Sequence, residues 1–489
     1  MVSRTPRTGL VPYFSTFVTS SSTLSYAKEQ VNLAVIDRYR CPERFVDARL
    51  TGPLSSTAGY FRFGSDILCY GQSASMHHAP PPHAPHLDLN GHARAHEARL
   101  FLPFDPTQII DNLRHELYIG ARNGGPASAG PDVLAKQLYY FIRPVLPTPL
   151  RAPLQRIYFR GWNKIPFPRW PLDVTVEDLF EKLLLLSMKA TGLEAIPFIW
   201  FWPHGASSAT IITHDVETAS GRDFCTRLMD IDESFGFRSS FQIVPEQRYS
   251  VPPLFLDEIR ARGHGINVQD LNHDGHLFRN QKEFRRRVKL INKYGRKFGA
   301  RGFRSGALYR NLSWYDQLEF EYDMSVPNVG HLEAQRGGCC TVFPYFIGDV
   351  LELRVTTTQD YSLFHILRDY TLDLWKAQAA GVEEKHGLLS FITHPDYLLE
   401  KRAQSTYRAL LTFLCQCQSE REMWITTPDE VNEWWRQRAK MALICRDGIW
   451  QIEGAGKERA EIAYARVLGD TIVYTWPGSK RVAQCGSDA

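Results

Sequence analysis

Short apolar runs recur between residues 209 and 393, and nearly every one ends in polar residues of catalytic type. Runs of strand length occupy residues 209–213, 239–244, 265–268, 302–304, 322–325 and 388–393. Between them lie helical patterns, with Phe224, Leu228, Ile231 and Phe235 on one face of the first. A helix is expected near 253–262, and a basic helix carries Phe284, Val288, Ile291 and Phe298 on its apolar side. Alternation at this pace predicts parallel β/α architecture, either a barrel or an open sheet. Folds of that kind build their sites at the carboxyl ends of the strands. Here those ends carry His214-Asp215-Val216-Glu217, then Gln269 through His276, Arg304-Ser305-Gly306, Asp323, and His394-Pro395-Asp396. Capping needs alone explain any one cluster. They would not select Asp, Glu, His, Arg and His together.

In this order the clusters resemble the polysaccharide deacetylase (NodB-homology, carbohydrate esterase 4-like) family over residues 200–400. Asp215 and Glu217 match its first motif, in a spaced form rather than as adjacent residues. The stretch from Gly263 to His273 follows the frame of its second, with Gln269 where the first histidine belongs. Arg304 matches the third motif, although the usual Arg-x-Pro has become Arg304-Ser305-Gly306, and Asp323 and His394 match the fourth and fifth. The resemblance implies a distorted (β/α) barrel that hydrolyses an amide with one divalent metal ion, zinc in the first instance. It implies Glu217, His273 and the Gln269 position as metal ligands, and Asp215 as the base, paired with Arg304. It implies His394 as the acid that protonates the leaving amine, with Asp323 holding it charged. An acetamide carbonyl is a poor electrophile, and a bound cation lowers the pKa of its water from ~15.7 to about 7, which is on the order of 12 kcal/mol.

Gln269 departs from this scheme, because an amide oxygen is a weaker zinc ligand than imidazole. Three outcomes are open at this point: weak or oxygen-preferring metal binding, a ligand supplied by Asp270 or His276, or loss of metal and activity. The implied function is removal of an N-acyl group from an amino sugar in a saccharide or glycan precursor. A carbohydrate-binding pseudoenzyme of the same fold, or an amidase for another C–N bond, are the alternatives.

The flanks are less legible. Residues 1–130 form an N-terminal region with strands expected at 31–36, 60–63 and 67–70, broken by a flexible Pro/His-rich loop at 72–96. A helical adaptor is expected over 131–200, with an amphipathic helix at 176–191. Residues 401–489 read as helices at 407–417 and from Pro428, a strand at 424–426, and a small α+β extension with an Ala-rich helical stretch. Phe198, Trp200, Phe201 and Trp202 could stack on sugar rings, but such runs belong more often to a core. The polar run 356–361 could line a site or simply turn a strand end.

A net charge of +4 over 489 residues argues against nucleic acid as a partner, and the basic helix reads as a solvated face. Nine scattered cysteines suit free thiols in a reducing compartment. No apolar run resembles a signal peptide or is long enough to span a membrane, so a cytoplasmic location is expected.

Overall fold

A computed structural model describes residues 31–74, 86–122 and 159–477. Its central sheet takes the strands β1 (Ala209–Val216), β2 (Ser240–Ile243), β3 (Gly265–Gln269), β4 (Gly302–Arg304), β5 (Tyr322–Asp323), β6 (Tyr345–Ile347), β7 (Val350–Glu352), β8 (Leu388–Thr393) and β9 (Trp424–Thr426). Their order is β6-β7-β5-β4-β3-β2-β1-β8, with β9 also pairing β1. Only β6 runs antiparallel, against β7. Every residue of β1 and β8 is buried, as expected of strands covered on both faces.

Around the sheet lie the helices α1 (Ala219–Ser234), α2 (Pro253–Ala261), α3 (Gln281–Phe298), α4 (Asp373–Glu384), α5 (Lys401–Arg421) and α6 (Pro428–Arg438). Their ends follow local chemistry. Asn280 caps α3 by accepting from the Glu283 amide, and Gly299 closes it in the left-handed region. Thr427 caps α6 ahead of Pro428. The expected strands and helices between 209 and 438 are thus present.

The curled sheet is a distorted (β/α) barrel, and its seam is unusual. Beyond β7, the chain meets β8 through side chains rather than a backbone ladder. The Thr356 hydroxyl donates to Leu388 O (3.0 Å) and accepts from the Ser390 amide (2.8 Å), while Thr357 donates to Ser390 O (2.8 Å). The polar run at 356–361 is therefore the seam itself.

Three expectations outside the barrel are corrected. Residues 33–39 form a helix, Leu33–Tyr39, instead of a strand, burying Ala34, Val35, Arg38 and Tyr39 at helical spacing. The last residues of the Pro/His-rich segment, Arg94–His96, pair with Arg99–Leu102; residues 75–85 lie outside the described residues. The Ala-rich stretch of the tail is a strand, Ile462–Leu468, because Ala463 and Ala465 alternate inward where it pairs with Ala195–Ile199. The expected strands near 60 and 68 and the helix Thr175–Thr191 are present. Residues 131–158 lie outside the described residues.

Phe198, Trp200, Phe201 and Trp202 are all fully buried, packed with Phe343, Tyr474 and Trp476, so they are core. The N-terminal residues dock beside the loop after β4 through a buried bidentate pair, Arg310 to Glu116 at 2.5 and 2.6 Å. The eight described cysteines are free thiols. Among the described residues no helix is long and apolar enough to cross a membrane.

Candidate active site

Strand alternation sorts the residues of β1 into two functions. Successive side chains point to opposite faces, so Thr213 and Asp215 turn inward while His214 turns toward the helices. Inside, the fully buried Arg304 at the end of β4 donates through Nη1 to Asp215 Oδ1 (2.5 Å) and Thr213 Oγ1 (2.9 Å). Its Nε is fixed on Met324 O at 3.0 Å. Behind β1, His214 bonds Asp232 of α1 (2.9 Å) and Thr393 at the end of β8 (2.8 Å). Strands β1 and β8 are thus clamped from the rear.

Glu217, just past β1, is the hub of the cluster. His273 Nε2 lies 2.8 Å from its Oε1, and His394 Nε2 lies 3.6 Å from the same atom. Gln269 Nε2 donates to both Glu217 Oε1 and Asp215 Oδ2, at 3.1 Å each. One ligand atom each from Asp215, Glu217 and His394 falls within 4.8 Å of the others. Burial alone would raise the Glu217 pKa, but the two histidines overcome it and hold the carboxyl well below its usual range. Burial alone would lower His273, and Glu217 more than offsets that, raising it.

His394 has a different anchor from the one expected. Its Nδ1 meets Asp360 Oδ1 at 2.6 Å, and its backbone amide donates to Asp360 Oδ2 at 2.7 Å. Burial pushes this imidazole down, but Asp360 and then Glu217 hold it well above its ordinary value. The Tyr397 ring packs 4.9 Å from it. Asp323 does not reach His394. It accepts from Ser325 Oγ (2.7 Å) and Ser325 N (2.9 Å) and lies against the buried Glu352. Burial, and then the neighbouring Asp323, pushes the Glu352 carboxyl well above its usual range. The sequence offered a clue to Asp360: it ends a polar run after an apolar strand. Distance along the chain from His394 hid the partnership.

The two residues after Arg304 explain the lost proline of the third motif. A Cβ on Gly306 would stand 2.6 Å from Asp270 Oδ2 and 3.0 Å from His273 Cδ2, so a side chain there would displace the Asp270 carboxylate. Asp270 and His273 both hold left-handed backbone, at φ 52° and 53°, a strained state that tight surroundings sustain. Asp270 is buried beside His273. His276 instead is exposed, 3.4 Å from Asp274, and does not join the cluster.

No protein-family model and no curated relative matches the sequence. Among solved structures the chain is similar to an inferred polysaccharide deacetylase from Mycobacterium smegmatis. They share 18% identity over 49% of this chain and 93% of that one, with a TM-score of 0.40. It is also similar to Puue allantoinase, at 11% identity, 48% and 92% coverage and a TM-score of 0.39. A third is peptidoglycan deacetylase PdaC from Bacillus subtilis, at 12% identity, 48% and 94% coverage and 0.31. The neighbours thus include polysaccharide deacetylases, matched over about half of this chain.

Proposed function

We propose that the chain is a metal-dependent hydrolase that removes an N-acyl group, acetyl in the first instance, from an amino sugar. The observation that carries this reading is the convergence on Glu217 of His273, His394 and Gln269, beside an Asp215 held by Arg304. Whether these residues fit a cation can be judged from the donors. Gln269 Oε1 is buried and has no hydrogen-bond partner, while its Nε2 satisfies the two carboxylates. Turning the amide over exchanges donor for acceptor with no change of shape. Glu217, His273 and Gln269 then offer a mixed oxygen and nitrogen set suited to a small divalent ion, zinc being the first candidate. Asp270 Oδ2, also buried without a hydrogen-bond partner, is available in reserve beside His273.

When bound, such an ion polarises the acyl carbonyl and acidifies water. Asp215 is the base. Arg304 occupies its Oδ1, and turning the Gln269 amide over withdraws the donor from Oδ2, which then takes the proton of the attacking water as the new C–O bond forms. His394 is the acid. With Nδ1 locked on Asp360, its Nε2 proton faces Glu217 and the centre of the site, and passes to the sugar nitrogen as the C–N bond breaks. The products are a carboxylic acid and a free amine.

Acetate release from N-acetylated amino sugars, measured beside turnover of ureide-type amides, separates this reading from an amidase acting on another C–N bond. A second reading has its own support: the Gln269 amide bridges both carboxylates without an ion, as a sugar-binding pseudoenzyme would require. Metal content decides between them. Binding of less than roughly a tenth of an equivalent after loading with zinc, cobalt or nickel excludes the hydrolase.

A further inference from the structure

Helix α3 holds eight lysines and arginines against one glutamate, seven net positive charges. The whole chain carries only +4, so the rest of the molecule is net negative. This concentration of charge has a definite place. The loop from β3 to α3 begins at Asp270, passes His273 and rises on the strand-end face that holds the catalytic cluster. At its far end a cleft of about 490 Å³ opens, lined by His276, Arg279, Lys282, Glu283, Arg286 and Arg287. That volume is within the range of small-molecule sites.

The cations of the cleft fall into two kinds. Arg287 is buried and saturated: it grips Asp274 at 2.6 and 2.8 Å and Glu283 at 2.5 Å, tying the cleft wall to the residue that follows His273. Arg286 shares Glu283, at 2.7 Å. Arg279 and Lys282 are exposed, and neither has an ion-pair partner among the described residues. A lone exposed cation needs no explanation. Unpaired cations converging on one concavity, beside a pinned arginine and on the rim of the catalytic face, form a lobe of positive potential that favours a bound anion.

We propose that this cleft is a subsite for an oxyanion, of the phosphate class, carried by the saccharide whose amide reaches the catalytic cluster. The inference rests on the amino-sugar reading above and narrows it to an anionic, phosphate-bearing amino sugar. The phosphate lies among Arg279, Lys282 and Arg286, and the loop places the attached sugar toward His273.

Calorimetric titration of the whole chain with N-acetylglucosamine 1-phosphate and with N-acetylglucosamine tests this. The phosphorylated sugar is expected to bind about tenfold more tightly, with an advantage that shrinks as salt rises. R279E/K282E/R286E is expected to remove the advantage and leave binding of the neutral sugar unchanged. K293E/K297E, farther along the same helix, is expected to preserve it. Equal affinity for the two sugars overturns the proposal, as does an equal loss in both variants, which would report net charge alone. If the charge-dependent preference holds in the cleft but no acetate is released from either sugar, the subsite stands and the hydrolase reading falls.

Discussion

Two polar assemblies flank strand β1, and each is built around aspartate and histidine. At the rear, His214, Asp232, Ser239, His264 and Tyr407 form a closed network. Asp232 Oδ2 takes bonds from His214 (2.9 Å) and Ser239 (2.7 Å), and Oδ1 takes one from Tyr407 (2.6 Å). At the mouth, Glu217 faces His273 and His394 while Asp215 pairs with Arg304 and Gln269, yet groups are left over. Gln269 Oε1 and Asp270 Oδ2 have no hydrogen-bond partner, and His394 Nε2 is held no closer than 3.6 Å to Glu217. The rear network is saturated, so it can only hold strands in place. The mouth keeps unused donors and acceptors, which is what chemistry requires. Aspartate and histidine are common to the two; saturation is what separates them.

The largest loss is expected at Glu217. Glu217→Ala removes the shared partner of both histidines, and turnover should fall by roughly 10³-fold or more in steady-state kinetics. Next comes a contrast between two carboxylates. Asp360→Asn should lower kcat by about 10²–10³-fold, because His394 loses the negative charge that holds its imidazole protonated and one of the two oxygens that orient it. Asp323→Ala should leave kcat within about threefold, while unpairing Ser325 costs about 1–3 kcal/mol in denaturant unfolding. A large kcat loss at Asp323 with none at Asp360 would reverse the assignment of the two.

Glu333 makes stability depend on pH. Burial raises this carboxyl to about 7, against a bond donated by Gln359. Because the folded value lies above the unfolded one, its contribution to stability is intact below about pH 4.5 and is lost as pH rises through 7. Glu333→Gln should therefore stabilise the protein by up to ~3 kcal/mol at pH 8 and by nothing measurable near pH 4. Melting curves at the two pH values check it. The smallest effect belongs to the rear. Tyr407→Phe leaves Asp232 Oδ1 short of a donor and should cost about 1–2 kcal/mol of stability, with kcat changed less than about twofold.

Much of the mouth was legible in the sequence because strand ends concentrate it. Asp215, Glu217, Gln269, His273, Arg304 and His394 each sit at or just past an apolar run, and the structure brings all six together. Asp323 was misjudged for a physical reason. It occupies an equivalent strand end, but β5 is only two residues long, and its carboxyl turns to Ser325 and Glu352. Asp360 could not be ranked from its surroundings, since its role depends on the seam that Thr356 and Thr357 make with β8. The same limit explains the tail. Alanines at 463 and 465 suit helix or strand alike, and only pairing with Ala195–Ile199, far away in sequence, decides between them.

The central claim is that the mouth is a metal-dependent amide hydrolase with Asp215 as its base. Zinc content and acetate release, measured on the same preparations of wild-type protein and Asp215→Asn, test it most directly. Asparagine still offers an oxygen to Arg304, so the fold and the ligands on Glu217 and His273 should persist. The expected result is about one equivalent of zinc in both proteins, with turnover lost by roughly 10³-fold in the variant. Near-normal turnover by Asp215→Asn, or a wild-type protein that releases acetate without binding zinc or another divalent ion, would contradict it.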